Sequence, residues 1–583
     1  MRKPSMLING VFFIFSVCQL LFGQPQNVHV MNTTSKSISV SWDTLSGATG
    51  YKVYCNGRKY GSCSMVPYTL YHLEADTTYD VQVSAVAGDT EGQKSGIVYG
   101  TTLPLSIDSS LINPYTQLQY RGAFRPPEAS SNGSNFGFSS GDIAFYPAGD
   151  TANTDSFPGS LFFGGNVTDR KVAEISIPEP IISRNISALP MASYVQGFYN
   201  IKSANMASGA LSICPALEYL PAQGTQTQGY LYTCFGDNYQ VGGGRLNSFG
   251  AAAPVLSNAV IFGGWYLGPA AAYTSPDYMS TIKFIFSLPD AIQNKMLVAG
   301  GSRYGSHPQG PTLVAYGPWN DGDPLPENNT VLSYTPLLMY GNSFDTHSLE
   351  GARENDLWRG GEWLTIGDKS AVVISGVKGW GDFWYSHAPY MSSYMPLLLY
   401  YDPRDLIAVA NGAKQPYEPQ PYAVLHLNDV ILSPSSQDSS EGGSGPGGLA
   451  FDRQNGVLYM ADYRAYGTYT ANPVIHVWKL KDKGTSDAQK TVRSGSGAWA
   501  DDISVSPNPF NSQTTITITG RSADAGRIRK IAIYAMNGAL VGVYTAIDRL
   551  RFTWDATGLP SGMYIAQVEI GSTVLSKCIA LMK

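Results

Sequence analysis

Runs of alternating apolar and polar residues, cut by glycine or proline before they reach helical length, recur along the whole chain. Ser37-Ile38-Ser39-Val40-Ser41-Trp42 sets Ile38, Val40 and Trp42 on one face of a strand, and Ile531-Ala532-Ile533-Tyr534 is built the same way. A chain patterned like this folds into short strands joined by turns. The 62 Gly, 36 Pro and 37 Tyr, with only 14% charged residues, agree with a mainly β protein. At 583 residues it is long enough for three or four domains. A net charge of -6, with no Lys/Arg run longer than a pair, leaves no basic face for nucleic acid. One helix is legible: Asp402 caps it, Pro403 opens it and Gly412 ends it.

Arg2 and Lys3 followed by the apolar stretch Met6 to Gly23 read as a signal peptide over residues 1–23, cleaved after Gly23. Cys18 offers a lipoprotein alternative, which Val17 disfavours because a small residue is wanted there. No later apolar run approaches the ~20 residues that span a bilayer, so no transmembrane helix is expected in the mature chain. Export permits disulfides. Cys55 and Cys63 flank the turn signal Asn56-Gly57, and Cys214 and Cys234 form a second candidate pair; buried free thiols are the competing expectation.

Residues 26–103 carry strands at regular spacing: Ser37 to Trp42, Tyr51-Lys52-Val53-Tyr54, then Leu73 and Thr77 to Ala85. This segment resembles a fibronectin type III domain, with Trp42 as the core tryptophan and Tyr79 as the tyrosine-corner residue. The resemblance implies a β-sandwich acting as spacer, adhesive surface or accessory module. After a linker at 481–502, residues 503–583 carry Pro507-Asn508-Pro509-Phe510, Ile533-Tyr534 with Asn537-Gly538, Ser561-Gly562-Met563-Tyr564 and a final Lys583. They resemble the type A C-terminal sorting domain of the type IX secretion system. That resemblance implies an Ig-like sandwich that partners the secretion machinery and directs the chain out of, or onto, a diderm bacterium.

The middle, 105–480, repeats itself. Gly141-Asp142-Ile143-Ala144-Phe145 is echoed by Gly447-Gly448-Leu449-Ala450-Phe451, and each leads through a turn to two further strands. Weaker echoes lie at Gly229–Cys234, Thr312–Tyr316 and Ser370–Gly376. Three or four strands per unit predict an irregular β-propeller of five to seven blades, with a β-sandwich array as the competitor.

Catalytic signatures are absent: the chain has no P-loop and no His-Glu-x-x-His. Gly137-Phe138-Ser139-Ser140-Gly141 fits a nucleophile elbow by letter only, since a polar stretch precedes it. No cofactor is expected; oxygen-rich loops at 150–155 and 321–323 suit calcium by composition but lack a full set of ligands. The densest polar-aromatic stretch is Asp345 to His387. Within it Trp358, Glu362, Trp363, Trp380, Asp382, Trp384 and His387 are the candidate ligand-binding residues, because flat rings stack on sugars while acids bond hydroxyls. The alternative for these rings is core packing. No residue is assigned a catalytic role. The leading reading is a non-enzymatic surface binding or adhesion protein recognising glycan, such as extracellular polysaccharide, or another extracellular ligand. An extracellular glycoside hydrolase or polysaccharide lyase is the alternative.

Overall fold

The computed structural model describes residues 23–581 except 140, 151–156, 207–215, 225, 236–246, 269–281, 303–309, 318–324, 342–345, 354, 386–388, 434–444, 468–470, 482–501, 507–510, 520–527, 536–539, 548–550 and 571–572. The signal segment, Cys214, His387, the 321–323 loop, Pro507–Phe510, Asn537-Gly538 and Lys583 therefore lie outside the described residues, as does 151–155 of the other oxygen-rich loop.

Two sheets make the N-terminal module. One orders His29–Thr33, Ser37–Ser41 and Tyr68–Tyr71; the other centres on Gly50–Cys55 and Thr78–Ala87. The alternation read from the sequence is met physically, with Ile38, Val40 and Trp42 all buried. Trp42 meets Tyr51 edge to face at 5.2 Å. The Tyr79 hydroxyl accepts the Glu74 backbone N–H at 2.8 Å, pinning the corner of the sandwich. The expected hairpin disulfide is corrected: Cys55 and Cys63 are free thiols. Asn56 and Gly57 both take positive φ in a two-residue turn, which sets Cys55 opposite Arg58, and a register shift at Val53–Tyr54 brings Cys63 opposite Tyr51. Cys234 is also free, and burial pushes its thiol up to about 12.

Among the described residues the middle contains five sheets, antiparallel but for one pairing, each beginning with its own first four or three strands in chain order. Sheet one runs Ile143–Tyr146, Ser160–Gly164, Val172–Ser176 and Tyr194–Tyr199. Sheet two runs from Ala216–Leu220 to Ile261–Leu267 and adds Val331–Leu332 in parallel. Sheet three begins with Phe284–Ile292 and ends with Tyr334–Met339; sheet four begins with Leu357–Ile366 and ends with Ala423–His426. Sheet five takes three strands from 445–480, and its fourth is Leu118–Phe124, from the other end of the region. First strands pack on first strands: sheet one on two, two on three, three on four, four on five, and five on one. The sequence echo at Gly141 and Gly447 marks the last of these contacts, where the Gly448 N–H donates to the Gly141 carbonyl at 3.0 Å.

Close approach at this junction demands glycine. A Cβ on Gly448 would stand 2.6 Å from the Gly141 carbonyl oxygen, and one on Gly360 would run into the Gly447 carbonyl and lie 3.0 Å from the Leu449 nitrogen. The helix read from sequence is present as Pro403–Ala410, with the Asp402 side chain accepting from Arg404 N and Gly412 at φ +73. The tail forms two sheets around Trp554 and Tyr564, which meet edge to face at 5.4 Å. No helix among the described residues is long and apolar enough to cross a membrane. Gly360→Ala should cost about 1–3 kcal/mol of stability through overpacking at the sheet-four/sheet-five contact. Denaturant unfolding of the mature chain measures it.

Candidate functional site

The second and third strands of sheet four, Lys369–Tyr385 and Pro389–Tyr401, are the longest in the middle region, and they extend beyond the paired length of their neighbours as a two-stranded arm. Much of the aromatic and charged stretch singled out in the sequence lies on or beside it. The arm runs onto the N-terminal module. Trp380, buried, packs on Tyr60 with ring centroids 5.0 Å apart, and the Arg58 guanidinium sits 5.6 Å over the same indole. Arg58 also donates to Ser393 Oγ at 2.6 Å, and Lys59 pairs with the exposed Asp382. From the segment before sheet four, Arg353 donates to the Gly381 carbonyl at 2.7 Å and to the Tyr60 carbonyl at 3.3 Å.

A fully buried ion pair braces the base of this arm. Lys378 Nζ donates to Asp356 Oδ2 at 2.6 Å, while Asp356 also accepts from the backbone nitrogens of Arg353 and Gly379. Filled hydrogen-bond sites are what let a charge pair remain out of water. The N-terminal sandwich and sheet four share one apolar core, which runs from Val40 and Leu70 through Tyr60 to Trp380 and Leu397.

The candidate residues therefore separate. Trp358, Trp363 and Trp380 are buried, and Glu362 is buried with them. Asp382 is exposed at the arm beside the half-exposed Phe383, and Trp384 continues the same strand. The nucleophile-elbow string is a tight loop: Ser139 Oγ donates to the Gly164 carbonyl at 2.6 Å and accepts from Gly141 N.

Glu362 belongs to a second polar cluster that the sequence did not reveal. Its Oε1 lies 3.1 Å from an Arg453 nitrogen, and the same guanidinium group reaches the Ser287 carbonyl at 2.5 Å and the Trp363 carbonyl. The Ser287 backbone nitrogen donates to Glu218 Oε1 at 3.1 Å. Glu218, Ser287 and Glu362 sit on the first strands of sheets two, three and four, and Arg453 immediately follows the first strand of sheet five. Burial raises both carboxyls above the usual carboxylate range; the Arg453 charge opposes the rise, and the two acids reinforce it at Glu362. Four residues from widely separated segments carry this cluster, so only assembled sheets display it.

Sheet five holds a third. Tyr120 Oη contacts His476 Nδ1 at 2.8 Å, and His476 Nε2 lies 3.3 Å from Asp462 Oδ2, which also accepts from Leu432 N and Ser433 N. Its order is that of a general-base relay, but His476 and Asp462 are fully buried. What it does is lock Leu118–Phe124 to the strands from 457–480. Among the described residues no group of three or more His, Cys, Asp or Glu is arranged to hold a metal ion.

With this geometry in hand, the comparisons assign the ends. Residues 23–101 match the family model of the fibronectin type III domain, and residues 504–581 match that of the secretion system C-terminal sorting domain. Residues 23–101 are a fibronectin type III domain and residues 504–581 a type IX C-terminal sorting domain. The sorting domain indicates a secreted or cell-surface protein that engages the type IX machinery. A poly(3-hydroxybutyrate) depolymerase of Ralstonia pickettii is 44% identical over 81 residues, covering 13% of this chain. The chain spans only 16% of that enzyme's length. Among solved structures, the FN5 domain of Drosophila Lar is 25% identical, covering 14% of this chain and 97% of its own, with a TM-score of 0.13. A family 28 exopolygalacturonase of Yersinia enterocolitica is 17% identical over 14% of this chain and 20% of its own, with a TM-score of 0.14.

Arg453→Met should destabilise the mature chain by about 3 kcal/mol at neutral pH by leaving buried carboxyls without their cation. The loss should shrink as pH falls toward 5, where a proton replaces the lost counter-charge. Urea unfolding at the two pH values checks both statements.

Proposed function

We propose that the protein is an exported, non-catalytic binding or adhesion protein of a diderm bacterium, whose five middle sheets form a five-bladed β-propeller recognising an extracellular glycan or another extracellular ligand. Support for the propeller comes from the order of contacts between first strands, each sheet on the next and the fifth on the first. The pairing of Leu118–Phe124 with Asn472–Leu480 adds to it, because one blade then holds both ends of the region. The fibronectin type III domain caps the fourth blade, and the sorting domain is read during export and removed.

The observation that favours binding over catalysis is the state of Glu218 and Glu362. Both are buried, and both are engaged by Arg453 or Ser287, so neither stands free to protonate a leaving group or activate water. The proposed contact surface is the sheet-four arm. Asp382 and Phe383 are exposed there, Trp384 and His387 follow in sequence, and the buried Trp380 fixes the arm from behind. An apolar ring beside a carboxylate suits a sugar, whose faces are apolar and whose edges carry hydroxyls.

Passing the mature chain over a panel of immobilised polysaccharides, scoring retention and released product together, tests this reading. Retention without product is expected, and Phe383→Ala should weaken it about tenfold, the effect of losing one interfacial contact worth about 1.4 kcal/mol. Product release that disappears in Glu362→Gln or Asp382→Asn would establish the hydrolase or lyase alternative instead. Deleting 504–581 should leave the protein in the periplasm of its host, which fractionation and immunoblotting would show.

A further inference from the structure

The seam between the fibronectin type III domain and sheet four contains titratable groups that a permanent contact does not need. Glu74, on the loop before Tyr79, is buried, and its Oε1 accepts the backbone N–H of His426 at 3.0 Å. The His426 ring bonds the His72 carbonyl at 2.7 Å through Nε2, leaving Nδ1 3.9 Å from the other Glu74 oxygen. His72 is buried beside them in left-handed backbone at φ +57, and its Nδ1 has no hydrogen-bond partner among the described residues. Ala75 N donates to Tyr115 Oη at 3.0 Å, and Tyr115 Oη in turn donates to the Val424 carbonyl at 2.5 Å.

We propose that this Glu74–His426–His72 cluster is a proton-operated latch, holding the fibronectin type III domain against sheet four while both the carboxyl and the imidazoles are neutral and releasing it when either takes a charge. Every charged neighbour bears on it. From the sandwich, Lys36 faces His72 and is itself paired with Glu350 at 3.2 Å. From sheet four, Lys378 faces His72 but is committed to Asp356, and Asp429 faces Glu74 and His426. Tyr79 and Tyr115 are the phenols in contact, and burial raises both. The two lysines are held by Glu350 and Asp356, and Asp429 opposes the effect of burial on His426 without outweighing it.

Burial lifts Glu74 to about 8 and lowers His426 to about 4; His72 falls well below its ordinary value. Glu74 holds its proton more tightly in the closed seam than in water, so its contribution is complete below about 4.5 and is lost as pH rises toward 8. His426 has the opposite sense for a base: its contribution is complete above about 6.5 and is lost as pH falls toward 4. His72 is lowered in the same sense and adds a second imidazole, so between about 4.5 and 6.5 opening takes up two protons and releases one, and closure strengthens with pH to a maximum near 6.5.

The amides of Ala75 and His426 are hydrogen-bonded across the seam, so their hydrogen exchange in the mature chain reports its opening. After correction for intrinsic rates, protection should rise about tenfold per pH unit from 4.5 to 6.5 and fall about tenfold per pH unit from 6.5 to 8, one net proton being linked to opening on each side. Sheet-one amides such as Phe162 should not follow this local change. Glu74→Gln should abolish the alkaline fall and leave the acid one, a split that a merely structural role would not produce. Wild-type protection that is constant from pH 4 to 8, or an alkaline fall that survives in Glu74→Gln, overturns the proposal. If that variant does not fold, the wild-type profile alone decides.

Discussion

A four-stranded sheet that is apolar on both faces cannot stand in water, and that constraint organises most of this molecule. Sheet five shows it plainly: every residue of Gly445–Asp452 is buried, so neither face of the strand meets solvent. Each of the five sheets covers its neighbour through first-strand contacts, and the sandwich at the N-terminus covers the outer part of sheet four. Apolar burial drives the assembly, while the polar clusters fix its register. Arg453 ties sheets three, four and five together through carbonyl and carboxylate oxygens, and the Tyr120–His476–Asp462 chain holds the distant Leu118–Phe124 strand in place.

The legibility of the sequence follows this division. Strands with one wet face announced themselves: Ser37–Trp42 alternates because one side meets solvent, and the helix at 403–410 carried its caps in adjacent residues. The Gly141 and Gly447 echoes were legible because glycine is needed there: Gly141 takes φ +80, and a Cβ on Gly448 would press on the Gly141 carbonyl. Strands buried on both faces gave weaker signals. Ala216–Leu220 lacks strict alternation, and nothing in its five residues distinguishes Glu218 from an ordinary surface acid. The Cys55/Cys63 pairing was plausible from spacing, but the two-residue turn sets Cys55 against Arg58, and the register shift beyond it leaves Cys63 facing Tyr51.

The segment from Asp345 to His387 has a similar lesson. Its Trp, Arg and acid content is the composition of a recognition surface, and one such surface does use it: the contact with the fibronectin type III domain. Arg58 over Trp380, Tyr60 against the same ring, and Lys59 on Asp382 are the kind of anchors found where two protein faces meet. Composition identifies a residue set suited to binding; whether the bound face belongs to a sugar or to the chain's own neighbouring domain is decided by packing. Only the outer part of the arm, at Asp382 and Phe383, keeps exposed side chains.

This fibronectin type III domain is packed into the five-sheet body rather than tethered beside it. Small-angle X-ray scattering of the mature chain lacking residues 504–581, at mildly acidic pH, tests it most directly. A single compact particle whose profile matches the docked arrangement is the predicted result. A profile requiring an ensemble of fibronectin type III positions around a fixed five-sheet body would contradict it.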